Sequence, residues 1–554
     1  MKQKLVAFAS CVLIAIMSNG QTVSIVPKPA FTQLKTGSFT ISPSVNLSVS
    51  NNELVRSSSF LNDYLQKMYG FKLRPVTNRS SGNSIVLNMG KIKSKAAGAY
   101  EMRISKNEIL IQGSDAEGVF HGIQSLVQLL PFTKTTSLPV PQMVVIDSAL
   151  FAYRGMHLDV ARHFFEVEPI KKYIDLLALY KLNTFHWHLT DDQGWRIEIK
   201  KYPKLTQVGS LRNGSIVGHH PGQGSDNTPV EGYYTQAQIK DMVAYAADRY
   251  ITIIPEIELP GHASAAIAAY PQLSCFPDRL TAIPLNMVSH TTVDEAQKSK
   301  RVKFVQETWG VFDDVFCAGK ETTFDFLQDV LDEVITLFPS KYIHVGGDEC
   351  PKTFWKQCPQ CQKTISANNL TDEHGLQSYC IQRIEKYLNT KGRNIIGWDE
   401  ILEGGLAPNA TVMSWRGEQG GIEAARQKHQ VIMTPGSHCY FDRSYAKNED
   451  SLTIGGVLTV EKVYSYNPIP DTLSAAEAKY IIGAQANVWT EYITNTAKVE
   501  YMILPRLAAM SEVLWTAREK KNWNEFIPRL MNEFKRYDWL GLNYCKIFIK
   551  ENTR

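Results

Sequence analysis

Two adjacent carboxylates, Asp348 and Glu349, close the segment Lys341-Tyr-Ile-His-Val-Gly-Gly-Asp-Glu349. Residues 342–345 read as a buried strand. The two glycines after it let the backbone turn sharply and leave room for a ligand to approach. Neighbouring carboxylates repel, so their surroundings must separate their pKa values. A carboxylic acid beside a carboxylate is what acid-assisted cleavage of a sugar acetal needs. A solvated polar loop after a strand is the competing reading, and the rest of the chain decides between the two.

The elements that must position this pair begin near Tyr153. Short apolar runs at 154–160, 184–189, 252–257, 342–345, 394–398, 412–415, 431–434 and 481–489 read as strands. Amphipathic stretches at 169–180, 235–249, 323–338, 372–391 and 421–428 fall between them and read as helices. Alternation of this kind argues for a parallel sheet. Eight such units form a (β/α)8 TIM barrel with loop insertions, an α/β fold whose active site lies at the C-terminal ends of its strands. Residues 21–146 precede it as a small α+β domain, with strands at 38–41, 84–87, 99–104 and 108–112 and helices at 54–68 and 117–130. The run 140–146 leads into the barrel. The barrel is expected over 147–520, with 521–554 as a C-terminal helical tail packed on it.

At 554 residues the chain is long enough for a large barrel plus an accessory domain. Hydrophobic content of 44% against 21% charged residues fits a folded globular protein, and a net charge of +4 without a basic stripe argues against nucleic acid as a partner. The N-terminus joins Lys2 and Lys4 to an apolar run, 5–17, and to Ser18-Asn-Gly20. That is the pattern of a signal peptide cleaved near residue 20, placing the protein in the periplasm or outside the cell. The run is too short for a transmembrane helix, and no other span is visible. Too few apolar residues precede Cys11 for lipid attachment to be the favoured reading.

Eight cysteines remain after residue 20: Cys275, Cys317, Cys350, Cys358, Cys361, Cys380, Cys439 and Cys545. In an exported protein these can oxidise. Cys275 and Cys317 bracket a long polar insertion and suit a disulfide that pins it. Cys358-Pro-Gln-Cys361 resembles half of a zinc knuckle, but no second well-spaced pair stands beside it in the sequence, so a loop disulfide is favoured over a metal.

Polar and aromatic residues cluster after each expected strand. They are Asp159-Val-Ala-Arg162, His186-Trp-His-Leu-Thr-Asp191-Asp-Gln-Gly-Trp195, Glu256-Ile-Glu258 with His262, Asp348-Glu349, Gly397-Trp398-Asp-Glu400, Ser414-Trp415, Tyr440-Phe-Asp442 and Trp489-Thr-Glu491. In this order the motifs resemble glycoside hydrolase family 20, the β-N-acetylhexosaminidases, over residues 22 to 520. The resemblance implies a retaining, exo-acting enzyme that removes terminal β-linked GlcNAc or GalNAc from chitooligosaccharides or from glycoprotein or glycolipid chains, without cofactor or metal. It implies that Glu349 is the general acid and then the base. It implies that Asp348 orients the substrate's own 2-acetamido group, which attacks C1 to form an oxazolinium ion, and that Tyr440 hydrogen-bonds the acetamido oxygen. Glu349 is then expected to have a pKa raised towards the working pH. Trp398, Trp415 and Trp489 would wall the pocket, while Arg162, Asp442 and Glu491 would hold sugar hydroxyls. Asp191 would couple to His262, and His262 to Glu349. Where relatives carry a further tryptophan, Tyr464 or Tyr466 stands in this chain as a rim residue.

Two other readings compete. One is a carbohydrate-binding barrel that has lost catalysis, which would predict loss of a carboxylate or of Tyr440; none is lost. The other is a metal-dependent hydrolase using His186, His188, Glu258 and Asp348.

Overall fold

The computed structural model describes residues 23–552 apart from 77–81, 95, 283, 285, 450 and 451. The expected leader at 1–20, with Cys11, lies outside the described residues.

A closed barrel of eight parallel strands forms where the alternation predicts it. The strands are β1 (Tyr153–Asp159), β2 (Thr184–His188), β3 (Thr252–Leu259), β4 (Tyr342–Gly346), β5 (Asn394–Trp398), β6 (Thr411–Ser414), β7 (Val431–Met433) and β8 (Ile481–Ala486). β8 closes on β1 through the pairs Gly483 with Tyr153 and Ala486 with Met156. Nearly every strand residue is buried, as a parallel sheet covered on its outer face by helices requires. Helices Val167–Leu179, Gln236–Ala247, Glu321–Leu337, Glu373–Thr390 and Gln419–Arg426 match the five expected ones within two residues at each end. The eightfold strand–helix count does not hold throughout. Between β5 and β6 the chain makes only the 3-10 turn Asp399–Leu402, which keeps that connection short.

Before the barrel, seven strands form one mixed sheet. Two short strands, Asn46–Val49 and Arg74–Val76, extend the expected set at one edge, where Pro75 is tolerated. Helix Ala116–Gln128 is buried along almost its whole length because it lies between this sheet and the barrel. Its Asp115 N-cap accepts from the Gly118 N–H at 2.8 Å. On its barrel side Gln128 donates to the Leu179 carbonyl, and Arg154 at the start of the barrel pairs with Glu117.

Two buried acids fasten the sheet, the barrel and the last helices together. Asp147 accepts from Trp515 Nε1 at 2.8 Å and Tyr100 Oη at 2.9 Å, and pairs with Lys181 Nζ at 3.2 Å. Glu512 holds Arg529 of helix Trp523–Leu540 with both carboxylate oxygens, and accepts from the Lys28 backbone and from Tyr464 Oη. Helix Trp523–Leu540 therefore touches both units. Its Arg536 donates to the Gln128 carbonyl, and its Tyr537 hydroxyl bonds that of Tyr180. No helix among the described residues is long and apolar enough to cross a membrane.

The expected Cys275–Cys317 bridge is absent. All eight described cysteines are buried and unbridged, and Cys275 and Cys317 lie together with Cys358 and Cys361.

Removing Asp147 would leave the Lys181 ammonium buried with no counter-charge. Asp147→Ala is expected to cost about 3–5 kcal/mol, the range for breaking a buried ion pair. Urea denaturation measures it, and a loss below about 1 kcal/mol, the scale of an exposed pair, would show that Lys181 needs no partner.

Candidate active site

The eleven residues singled out from the sequence, namely Arg162, Asp191, His262, Asp348, Glu349, Trp398, Trp415, Tyr440, Asp442, Trp489 and Glu491, all line one cavity of about 420 Å³ at the C-terminal ends of the barrel strands. Each arrives there because its strand stops. Asp159, the last residue of β1, accepts from the backbone of Ala161, Arg162 and Thr490 and from the Thr490 hydroxyl. One carboxylate thus folds the β1 loop over Arg162 and docks the β8 loop that carries Trp489 and Glu491. Past β7 the chain stays in register with β8 through a bridge from Tyr440 to Asn487, which sets Tyr440 and Asp442 over the rim.

At the end of β4, Gly346 and Gly347 have φ of 65° and 91°. The room they leave is not for a ligand. A Cβ on Gly346 would lie 1.7 Å from Glu258 Oε2, and one on Gly347 would lie 2.6 Å from Ile401 Cγ2. The glycines let β3 and the β5 turn press against β4, and so tip Asp348 and Glu349 into the cavity. Glu349 itself has φ of 44° and His262 has φ of 48°, a left-handed conformation that costs side-chain-bearing residues energy and concentrates at functional sites.

Asp348 is 8% exposed, and its Oδ1 has no hydrogen-bond partner in the protein. Asp442 Oδ1 is in the same condition. Glu258 and Glu449 also hold buried oxygens without hydrogen-bond partners, but among the described residues only those of Asp348 and Asp442 belong to carboxylates that line the cavity. Burial, then the charge of Glu491, raises Asp442 to about 8, so this carboxyl holds its proton at neutral pH. Glu491 is raised as well, by burial.

His262 stands between the acids. Its Nε2 is 3.6 Å from both Asp348 Oδ2 and Glu349 Oε2, and its Nδ1 is 3.0 Å from Asp192 Oδ2 and 3.4 Å from Asp191 Oδ1. Asp192, which was not singled out from the sequence, therefore holds the closer position that had been expected of Asp191. Asp192 also accepts from the Ser264 N–H and hydroxyl, fixing the loop that presents His262. Asp191 turns instead to Arg162 Nη2 at 2.8 Å and His188 Nε2 at 2.9 Å. Burial disfavours a charged imidazole, but the Asp191 charge, with the carboxylates of Asp192 and Asp348 close by, lifts His262 well above its ordinary value.

The consequence reverses one expectation. The His262 imidazole, 3.6 Å away, holds Glu349 below the usual glutamate value, against the opposing effect of burial. The Glu349 side chain is 41% exposed, so burial is too weak to keep it protonated. The raised carboxyls beside Asp348 are Glu258 and Glu400: burial and then the Asp348 charge lift Glu258 well above the usual range and push Glu400 up to about 9. Glu400 accepts from Trp415 Nε1 at 2.9 Å and so sets the plane of that indole.

Trp398 forms the floor. It is 1% exposed, packs on Ile254, Ile396, Met413 and Ile432, and donates from Nε1 to Glu256 at 2.9 Å. Trp489 lies 5.8 Å from it, and Trp415 is stacked with Tyr440 at 6.2 Å. Burial, then Asp442, keeps the Tyr440 hydroxyl protonated far above its ordinary range. Arg162 is fixed at the rim by its neighbours. Its Nη1 is 3.3 Å from Asp159, and its guanidinium lies 5.1 Å above the Trp489 ring while facing the cavity.

Other expectations fail. Tyr464 is buried on Glu512 and Phe526, and Tyr466 is stacked on His438; neither reaches the rim. Trp309, Val311, His220 and Ile454 line it instead, from loops that no motif marks, with Tyr492 next to Glu491. Of the four residues of the metal-hydrolase reading, only Asp348 lines the cavity. His186 and His188 lie beneath it, pointed at Glu256.

Family comparison agrees with this geometry. The family model described as glycosyl hydrolase family 20, catalytic domain, matches residues 151–518, and that of domain 2 of the same family matches 22–148. A β-hexosaminidase from Porphyromonas gingivalis is 45% identical over 531 residues, 94% of this chain, which spans 64% of that relative's length. A β-N-acetylhexosaminidase from Cellulomonas fimi is 30% identical over 94% of this chain and 96% of its own. The solved GH20 exo-β-N-acetylglucosaminidase from Vibrio harveyi, in complex with N-acetylglucosamine, superposes with a TM-score of 0.82 at 32% identity, over 95% of this chain and 78% of that one.

If His262 holds Glu349 ionised, removing the imidazole must raise the Glu349 pKa. Carboxyl-carbon NMR of glutamate-labelled H262A should show the Glu349 resonance titrating at higher pH than in the parent. A titration that stays in place or moves down would exclude His262 as the cause.

Proposed function

The chain belongs to glycoside hydrolase family 20, and from that premise we propose that it is an exo-acting β-N-acetylhexosaminidase. It releases terminal β-linked GlcNAc or GalNAc with retention, through an oxazolinium intermediate formed by the substrate's own acetamido group. The observation that carries the reading is the unpartnered Oδ1 of buried Asp348, set beside Glu349 over a tryptophan floor. An acetamido N–H would satisfy that oxygen, and the Asp348 charge would stabilise the positive charge that grows on nitrogen as the carbonyl oxygen attacks C1. Tyr440, protonated throughout, would donate to that carbonyl oxygen. Holding nucleophile and acetal in one molecule removes an entropic cost that reaches about 7–11 kcal/mol in favourable cases.

Glu349 must deliver a proton to the departing oxygen, yet His262 favours its ionised form. A sugar seated on the indoles would cover Glu349 and take away the water that stabilises its charge. The proton would then pass from His262 Nε2 to Glu349, neutralising both, and from Glu349 to the leaving group. In the second half Glu349 would take a proton from the water that opens the oxazolinium at C1. Asp442, protonated up to about pH 8, would donate to a sugar hydroxyl and accept through its free oxygen.

Single-ended access supports exo action. The indole of Trp398 and the packed barrel centre close the bottom, so a chain terminus can enter but a chain cannot thread. Chitooligosaccharides and the antennae of glycoproteins and glycolipids offer such termini. The leader-like residues 1–20 support export to the periplasm or beyond, where these chains are met.

A panel of aryl β-glycosides tests the reaction class: GlcNAc and GalNAc should be cleaved, and glucose and galactose should not. Glu349→Gln and Asp348→Asn should each lower kcat by on the order of 10²–10⁴-fold, the usual share of a positioned acid–base group. Azide should partly restore the Glu349 variant on substrates with good leaving groups, and not the Asp348 variant. Near-normal turnover in either variant would sink the assignment, and equal cleavage of glucosides would sink acetamido participation.

The Asp442 proton gives a second test. As pH rises through about 8, Asp442 loses the proton it would donate, so affinity for GlcNAc should fall there. In Asp442→Asn, which keeps a donor at every pH, that fall should disappear. Calorimetric titration across this range measures both, and an unchanged fall in the variant would remove Asp442 from sugar binding.

A further inference from the structure

About the side of the barrel, behind the carboxylate pair, four cysteines from three separate loops meet. Cys275 ends the segment that follows β3, Cys317 ends the long insertion, and Cys358 and Cys361 open helix Pro359–Ala367 after β4. All four Sγ atoms lie within 4.8 Å of one another. The separations are 3.6 Å for Cys275–Cys361, 3.6 Å for Cys317–Cys361 and 3.8 Å for Cys317–Cys358. Four thiolates about 2.3 Å from a tetrahedral zinc ion have sulfur–sulfur edges of about 3.8 Å. The observed edges fit that figure. Cys275 with Cys361 and Cys317 with Cys358 are the one pairing these separations would allow as two disulfides, but every separation is far beyond a sulfur–sulfur bond of about 2.05 Å, and the third, Cys317–Cys361, is as short as the other two. Cys350, Cys380, Cys439 and Cys545 join no such group among the described residues.

The surroundings are those of a metal knuckle. Cys358-Pro-Gln-Cys361 supplies the two-residue spacing, and the second pair that the sequence did not reveal arrives from 83 and 41 residues upstream of Cys358 as Cys275 and Cys317. Gly319 presses its backbone so close to the knuckle that a Cβ there would lie 2.4 Å from the Cys361 nitrogen, and its N–H bonds the Cys317 sulfur. A bridge between Ser274 and Phe316 and a bond from the Cys317 N–H to the Leu273 carbonyl hold the other two ligands together. Cys317 and Cys361 are fully buried, Cys358 is 1% exposed and Cys275 is 9% exposed.

We propose that Cys275, Cys317, Cys358 and Cys361 bind one structural zinc ion that ties the β3 loop, the insertion and the β4 loop into a single brace. Binding would deprotonate the four thiols and release their protons to solvent. The ion has no open coordination position and no contact with the sugar cavity, so it takes no part in the reaction. Its effect is mechanical: the three loops it joins carry His262, Trp309 and the Asp348–Glu349 pair.

The test is elemental analysis of the full chain, purified without a metal-affinity step or added thiols. About one zinc per chain is expected, released to a chromogenic chelator only as a mercurial titrates the cysteines. C361S should lose the ion and unfold at lower temperature, whereas C439S should keep it. If C361S does not fold, the stoichiometry and the mercurial-linked release from the parent protein still decide. Absence of zinc, whether with an intact mass lighter by two or four hydrogens from disulfides or with four freely alkylated thiols, would overturn the proposal.

Discussion

A carboxylate taken out of water costs several kcal/mol unless hydrogen bonds and opposite charge replace the solvent it loses. Glu256 sits fully buried at the centre of the barrel, and four side chains from three other strands meet that requirement. His186 and His188 come from β2, His344 from β4 and Trp398 from β5. Burial opposes the Glu256 charge, but His344, His188 and His186 together hold it well below the usual range. The arrangement does more than satisfy one acid. It orients the Trp398 indole that floors the cavity, and it turns the far nitrogen of His188 towards Asp191. Asp191 in turn fixes Arg162 and faces His262, and His262 reaches Glu349. An unbroken line of charged groups thus runs from the core to the cavity, so the position and charge of the candidate acid are set from beneath.

The same logic explains why strain is tolerated where it occurs. His262 and Glu349 both hold left-handed backbone conformations. Each is overdetermined by neighbours: Asp192 with Ser264 for the first, and the close fit of Gly346 on Glu258 and Gly347 on Ile401 for the second. A backbone so constrained cannot relax by a local shift, which preserves the 3.6 Å relation between imidazole and both acids.

Much of the architecture was legible because parallel strands bury both faces and so read as unbroken apolar runs. The run at 394–398 matched β5 to the residue. Asn46–Val49 and Arg74–Val76 escaped because they are short and lie at a sheet edge, the second with a proline inside it. The cavity residues on strand ends were legible for the same reason the strands were: a polar or aromatic residue just after an apolar run has one place to point. Asp191 and Asp192 share that signal, and only the fold divides their partners. Trp309 and Ile454 arrive on long loops whose closure depends on distant contacts, and no local pattern records it. The sign of the Glu349 shift was lost too, because it depends on whether one imidazole carries charge, which its four carboxylate neighbours decide together. The meeting of Cys275 and Cys317 with the knuckle is a further product of loop closure.

The Trp398 floor has a kinetic meaning for any polymer this protein acts on. Below the indole Ile254, Ile396, Met413 and Ile432 pack with it into one buried cluster at the barrel centre. If the proposed activity holds, a glycan would enter only end-first, and after each cut the shortened chain would have no track along which to slide forward. The freed monosaccharide would sit at the blind end, behind the remainder of the chain, and the remainder would have to leave before it could. Degradation of a long chain would then proceed as separate encounters, with throughput governed by how often free ends arrive and how quickly a single sugar departs.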